Sequence, residues 1–130
     1  MMKKITYPLS LLLLVLCFQG HAQSLVRQSL GFHSTVLDDS VAYSVYLPDG
    51  YQQPHRYYPA VYLLHGMWGS EQDWIQYGRV QEIVDKGIRS GRWSPMVIIM
   101  PDAGNSYYVN DREGDYRYED MFFTELIPEL

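Results

Sequence analysis

Two short apolar segments constrain this chain more than any other feature of its sequence. Residues 60–64 and 96–100 are almost continuously apolar and do not alternate, which is typical of strands buried on both faces of a sheet. Between them, apolar residues recur at helical spacing and predict a helix from about residue 78 to residue 90, ended by Gly91. A strand, a crossover helix and a second strand predict an α/β fold in which the two strands run parallel.

An antiparallel hairpin is predicted before these strands. Residues 24–37 alternate in part between polar and apolar side chains, residues 38–40 interrupt the pattern, and residues 41–47 alternate again. In the second strand, positions 41, 43, 45 and 47 form the clearly more apolar face. A last helix is predicted over residues 118–130. The predicted fold class is therefore α/β, with an antiparallel hairpin followed by a parallel strand, helix, strand and helix.

The first residues have the pattern of a secretory signal peptide. Two lysines precede an apolar run at residues 9–18, and the small residues Gly20 and Ala22 occupy the −3 and −1 positions of a cleavage site. The apolar run is well short of the ~20 residues that a membrane-spanning helix needs. We therefore expect residues 1–22 to be a signal peptide, the mature protein to be secreted or periplasmic, and no stable membrane insertion to follow cleavage.

Because Cys17 lies near the end of the apolar run, a lipoprotein is the alternative to a signal peptide. A lipidated cysteine normally follows a small residue, whereas Leu16 precedes Cys17 here. Cys17 is also the only cysteine of the chain, so neither a disulfide nor a thiolate metal site is expected in residues 23–130. The net charge of −5 provides no strong basic field, which argues against a nucleic-acid partner.

The loop after the first buried strand, residues 65–69, is the strongest candidate for chemistry. Its two glycines allow the backbone to turn sharply and to point N–H groups at a ligand. In α/β-hydrolases, a loop between a strand and a helix supplies one donor of the oxyanion hole. An ordinary turn between a strand and a helix is the alternative.

Five segments in a fixed order are far more specific than that loop alone. They are residues 43–48, 58–66, 69–74, 100–108 and 125–128. Together they resemble the putative-esterase family, which includes esterase D-like enzymes, feruloyl and acetyl xylan esterases of the carbohydrate esterase type, and mycolyltransferases. The resemblance extends from about Arg27 to Leu130, nearly all of the expected mature chain.

The resemblance implies an α/β-hydrolase fold that cleaves carboxylic esters through a Ser-His-acid triad, without a metal or another cofactor. It implies that the backbone N–H of Met67 is an oxyanion-hole donor, with Trp68 as the neighbouring candidate. His65, Gly66 and Gly69 complete the oxyanion loop, and His65 is expected to be structural because it would hydrogen-bond the loop.

The same resemblance places the loop from Asp102 to Tyr108 beside the substrate cleft. Asp102, Asn105 and Tyr107 are the predicted substrate-binding residues, and an aromatic ring of this loop would stack on a sugar or a phenolic ring. The alternative is that Tyr107 and Tyr108 simply cover the edge of the core. The expected partner is a small-molecule or polysaccharide-linked ester.

The chain departs from the family pattern at one decisive point, since it contains no Gly-x-Ser-x-Gly nucleophile elbow. In the resembled family this elbow follows shortly after the helix that carries residues 125–128. No catalytic serine, acid or histidine is therefore assigned in this chain. We expect residues 23–130 to be an incomplete esterase domain, truncated before the elbow and inactive alone; the alternative is a small complete α+β protein.

Two functions remain open from the sequence. The first is the N-terminal part of a secreted serine esterase of the feruloyl or acetyl esterase type. The second is a non-catalytic protein that binds carbohydrate or another partner and has lost the nucleophile. Ser70 is interpreted as a helix N-cap, with Asp73 stabilising the first turn, and the acidic residues between 111 and 120 do not have the spacing of a calcium loop.

Overall fold

The computed structural model describes residues 23–130, so the predicted signal peptide, residues 1–22, lies outside the described part of the chain. A mixed sheet with strand order β1-β2-β4-β3 forms its centre. The strands are β1 (Leu25–Ser34), β2 (Asp39–Leu47), β3 (Ala60–Tyr62) and β4 (Val97–Pro101). β2 pairs antiparallel with β1 and with β4, whereas β3 and β4 are parallel. The predicted hairpin and parallel pair are confirmed.

The second strand, β2, is buried more completely than its alternation predicted. Val41 and Val45 are buried on one face, and Ser44 and Tyr46 are fully buried on the other. Both faces are covered because β2 lies inside the sheet, between β1 and β4. The Tyr46 hydroxyl donates a hydrogen bond to Asp85 Oδ1 at 2.7 Å, which satisfies its only buried polar group.

Helices cover both faces of the sheet. They are α1 (Asp73–Gln76), α2 (Val80–Arg89), α3 (Tyr118–Met121), a π-helical turn (Phe122–Leu126) and α4 (Ile127–Glu129). α2 confirms the helix predicted over residues 78–90. The helix predicted over residues 118–130 is present as a continuous helical segment, but the π-helical turn in its middle was not predicted, and neither was α1.

Two apolar cores lie on opposite faces of the sheet. The core on the α2 face consists of Tyr46, Val80, Val84, Ile98 and Met100. The core on the other face consists of Val41, Ala103, Tyr118, Met121 and Leu126. The alternation of β2 supplies a residue to each core, so this strand holds the two layers together.

The outer edge of β3 is open in the described part of the chain, because β3 pairs with β4 alone. A groove of about 310 Å³ runs beside this edge, between the sheet and α2. Its lining is apolar and includes Val61, Leu63, Trp74 and Trp93. Within residues 23–130, no helix is long and apolar enough to cross a membrane.

Candidate active site

The predicted site residues lie where the two parallel strands end. The carboxyl ends of β3 and β4 meet at one edge of the sheet, the usual position of ligand sites in α/β folds. The loops that follow, residues 65–69 and residues 102–108, enclose a cavity of about 170 Å³. The cavity is lined by His65, Gly66, Met67, Gly104, Asn105, Tyr107 and Tyr108. Trp68, Gly69 and Asp102 lie in the same two loops but do not line it.

His65 is buried and connects the two loops through both ring nitrogens. Its Nδ1 lies 2.8 Å from the Gly66 carbonyl oxygen, and its Nε2 lies 3.1 Å from the amide nitrogen of Ala103. A carbonyl only accepts and an amide N–H only donates, so these two bonds place a hydrogen on Nδ1 and a lone pair on Nε2. Nε2 also lies 3.2 Å from Asp102 Oδ1. Backbone groups of both loops thus engage the two ring nitrogens of His65, as expected of a structural side chain.

Asp102 supports the second loop from within. Its Oδ1 accepts the Gly104 N–H at 2.8 Å, and its backbone N–H donates to Ala42 O at 2.8 Å. The Tyr118 hydroxyl donates to the Asp102 carbonyl at 2.8 Å. These bonds fix the start of the loop to the sheet and to α3. One oxygen of the carboxylate predicted to contact substrate, Oδ1, is therefore engaged inside the loop.

Tyr108 is a site residue that the sequence analysis did not select. Its hydroxyl accepts the His65 backbone N–H at 2.7 Å, and burial raises the pKa of Tyr108 to about 12. Its ring packs edge-on against His65, with centroids 5.4 Å apart. The adjacent Tyr107 is 71% exposed at the mouth of the cavity. The sequence places two tyrosines side by side here but contains no signal that distinguishes the half-buried Tyr108 from the exposed Tyr107.

The two predicted oxyanion donors differ in the structure. The Gly69 N–H donates to Gly66 O at 3.0 Å and closes a four-residue turn with Met67 and Trp68 at its tip. The Trp68 N–H donates to Asn105 Oδ1 at 3.0 Å. The Met67 N–H has no hydrogen-bond acceptor among residues 23–130. Of the two amides, that of Met67 is the one available to a ligand.

The two glycines of the loop are not equivalent. A Cβ atom added to Gly69 would overlap Asp73 Oδ2 and would lie 3.0 Å from both Gly66 O and His65 Nδ1. A Cβ atom added to Gly66 would meet no atom within 4 Å. The turn therefore requires glycine at position 69 because of close packing, whereas the space around Gly66 would accept a methyl group.

Ser70 is not the N-cap of a helix, so that prediction is wrong. α1 begins at Asp73, its N-cap is Gln72, and no side chain caps it. Ser70 lies two residues before this N-cap, and its Oγ accepts the Gln72 N–H at 3.3 Å. The next residue, Glu71, is buried and accepts a hydrogen bond from Ser29 Oγ at 2.6 Å, which ties this loop to β1.

Three of the seven non-glycine residues with positive φ in residues 23–130 lie in the two loops that form the cavity. Trp68, Tyr107 and Tyr108 have φ values of 64°, 56° and 61°. This conformation costs a residue with a Cβ atom roughly 1–2 kcal/mol and persists only where surrounding contacts hold it. Such residues cluster at functional sites.

Within residues 23–130, no group of three or more His, Cys, Asp and Glu side chains is arranged to hold a metal ion.

Known esterases are similar to this chain in sequence and in fold. The family model described as "Putative esterase" matches residues 34–130. An esterase of Mycobacterium tuberculosis is 29% identical over 102 residues, which are 75% of this chain and 21% of the relative. The endo-1,4-beta-xylanase/feruloyl esterase of Xylanibacter ruminicola is 29% identical over 94 residues, which are 67% of this chain and 13% of the relative.

A solved structure of a ferulic acid esterase superposes with a TM-score of 0.74 and 34% sequence identity. The aligned region covers 82% of this chain and 43% of that structure. The chain therefore spans less than half of the length of each of these relatives, and its fold is part of an α/β-hydrolase fold. On the family match, the sequence resemblance and the shared structure, this chain belongs to the putative-esterase family.

Proposed function

We propose that this chain is the N-terminal part of a secreted or periplasmic serine esterase that hydrolyses carboxylic esters. Residues 1–22 are removed on export, and residues 23–130 form the first part of the catalytic domain. The observation that carries the proposal is the Met67 N–H, which has no acceptor in the described part of the chain and belongs to a residue lining the cavity at the ends of β3 and β4. An amide in this position is one half of an oxyanion hole.

The remaining catalytic groups belong to the part of the protein outside this sequence. A serine hydroxyl attacks the ester carbonyl, a histidine takes its proton and passes it to the leaving alcohol, and an acid orients the histidine. The carbonyl oxygen becomes an oxyanion and accepts hydrogen bonds from the Met67 N–H and from the amide that follows the serine. One such donor contributes about 10²–10³-fold to kcat.

The surface around the cavity supports an ester with an aromatic or sugar component. Tyr107 is 71% exposed, Met67 is 58% exposed and Trp68 is 82% exposed, so each offers apolar surface to a bound ring. Two of the relatives described above are named for ferulic acid or feruloyl esters. We therefore propose a feruloyl or acetyl ester, free or linked to polysaccharide, as the substrate, with no cofactor.

A serine-reactive fluorophosphonate tests the proposal directly. The protein expressed from the complete reading frame should be labelled, and replacement of the serine of its Gly-x-Ser-x-Gly motif by alanine should abolish labelling. A folded, full-length protein that is never labelled would refute the esterase. N-terminal sequencing of the exported protein should begin at Gln23, because Ala22 precedes the predicted cleavage site.

A second function remains a candidate because of the exposed aromatic rim. Trp68 and Tyr107 offer ring faces on which a sugar stacks without any chemistry, and this chain has no Gly-x-Ser-x-Gly motif. Sequencing the coding DNA beyond the codon for Leu130 separates the two functions. A continuing frame that contains the motif supports the esterase, whereas a stop codon supports a non-catalytic carbohydrate-binding or interaction protein.

A further inference from the structure

The Trp68 backbone is held in an unfavourable conformation by very few contacts. Its φ of 64° lies in the left-handed region, which type II turns reserve for glycine or asparagine at this position. The Trp68 residue is 82% exposed, so packing of the indole does not hold the backbone there. Two hydrogen bonds remain, the Gly69 N–H to Gly66 O bond at 3.0 Å and the Trp68 N–H to Asn105 Oδ1 bond at 3.0 Å.

Asn105 is well placed to hold Trp68 because its own loop is fixed. The Asp102 N–H is bonded to Ala42, the Ala103 N–H to His65, and the Ser106 N–H to the Ala103 carbonyl at 3.0 Å. The Asn105 side-chain carbonyl therefore presents an acceptor in a defined position, 37 residues away from Trp68 in sequence. The bond also engages the Trp68 amide, which would otherwise be a second donor beside that of Met67.

We propose that Asn105 is a positioning residue: its side-chain carbonyl holds Trp68 in the left-handed conformation and thereby sets the direction of the Met67 N–H toward the oxyanion. This inference rests on the proposed function. It differs from the prediction made from sequence, in which Asn105 contacts the substrate. A substrate contact would act mainly on binding, whereas a positioning residue acts on the stability of the transition state.

The first test is the Asn105→Ala variant of the full-length protein, assayed with a p-nitrophenyl ester. We expect kcat to fall about ten- to a hundredfold while KM changes much less. A misdirected Met67 N–H stabilises the oxyanion less, and this loss is felt mainly in the transition state. Asn110→Ala is the matched control. The Asn110 side chain also accepts a backbone N–H, that of Asp120 at 3.1 Å, but it lies outside the cavity lining, so kcat should be unchanged.

The second test asks whether Asn105 acts through the Trp68 backbone. Glycine adopts positive φ without strain, so the Trp68→Gly background needs less support from Asn105. The fold loss in kcat caused by Asn105→Ala should therefore be clearly smaller in the Trp68→Gly background than in the wild type. An equal loss in both backgrounds, or a change confined to KM, would overturn the inference.

Different results would refute the esterase function and the positioning role of Asn105. A full-length wild-type protein that neither hydrolyses the ester nor reacts with fluorophosphonate would refute the proposed function, and the inference with it. An active wild-type protein whose kcat survives Asn105→Ala would refute only the positioning role of Asn105.

Discussion

His65 and Ala103 are 38 residues apart in sequence, and one hydrogen bond joins them: His65 Nε2 accepts the Ala103 N–H at 3.1 Å. With Nδ1 bonded to Gly66 O at 2.8 Å, the imidazole links the loop after β3 to the loop after β4. The imidazole is thus a buried cross-link between two loops.

Replacing His65 by alanine should destabilise the full-length protein by about 1–3 kcal/mol, since it leaves the buried Ala103 N–H without an acceptor. Urea unfolding measures the change in the free energy of unfolding. His33→Ala is the control, because His33 is exposed on β1 and its loss should cost less than about 0.5 kcal/mol. Equal losses in the two variants would contradict the cross-link.

The two loop glycines should respond oppositely to alanine. Gly69→Ala should lower the free energy of unfolding by about 1–3 kcal/mol, because the new methyl group overlaps Asp73 and crowds His65. Gly66→Ala adds a methyl group to open space and should be close to neutral. Thermal unfolding of both variants side by side checks this, and a reversed order would show that the packing around Gly69 is misassigned.

Tyr108→Phe isolates the hydroxyl that accepts the His65 N–H. The variant keeps the ring but leaves that N–H unpaired, and we expect a loss of about 1–3 kcal/mol in the free energy of unfolding. Tyr107→Phe removes a hydroxyl from the adjacent, 71% exposed side chain and should have little effect. If both variants have the same stability as the wild type, the Tyr108 hydroxyl does not support the loop.

Glu125, in the π-helical turn, gives the protein an acid-sensitive contact with the β1–β2 hairpin. Its carboxylate accepts hydrogen bonds from Ser34 Oγ at 2.5 Å, from the Thr35 hydroxyl and from the Thr35 and Val36 amides. The Ser34 hydroxyl, followed by that of Thr35, lowers the pKa of Glu125 below its ordinary value.

A carboxyl whose pKa is lower in the folded state stabilises the fold above its unfolded pKa, and this contribution is lost as the pH falls through the folded value. The free energy of unfolding should therefore decrease below about pH 4.5, the region of the ordinary glutamate pKa. The decrease should be smaller in Glu125→Gln. Glu129→Gln, on the same helical segment, is the control and should retain the wild-type decrease in urea titrations from pH 7 to pH 3.

Residues 23–130 expressed alone should aggregate. The outer edge of β3 has no strand partner within this segment, and the neighbouring groove exposes Trp74 and Trp93 to solvent. Unpaired edges and exposed apolar surface both favour association. Size-exclusion chromatography with light scattering measures this, and a monomer that unfolds in one sharp thermal transition would contradict the expectation.

The pattern of apolar residues in the sequence predicted several of the strands and helices. The run at residues 96–100 became the buried strand β4, and the helical spacing before Gly91 became α2 (Val80–Arg89). The run at residues 60–64 became only the three-residue strand β3, which is exposed or half-buried in the described part of the chain and not buried on both faces as predicted. Pairing between β2 and β4 was not predictable in the same way, because strand order depends on contacts between distant residues. The π-helical turn was missed because the extra residue that it accommodates leaves the helical pattern of apolar residues on either side almost intact.

The sequence predicted which loops form the candidate site but not the hydrogen bonds between them. Residues 65–69 and the loop after β4 do meet, as the family resemblance implied. What the sequence does not encode locally is the left-handed backbone at Tyr107 and Tyr108, which turns one ring inward and the other outward. The same limit applies to the bond between Asn105 and Trp68, which exists only once both loops are folded.

The bonds that hold the oxyanion turn also bear on when the turn forms during protein synthesis. Every group that fixes the turn lies between Ser29 and Tyr118, so all of them leave the ribosome before the last helical segment is complete. Domains generally fold as units, however, and the outer edge of β3 has no strand partner within residues 23–130. On the proposed function, the Met67 amide therefore takes its final direction only when the later part of the domain, which carries the serine, folds with it.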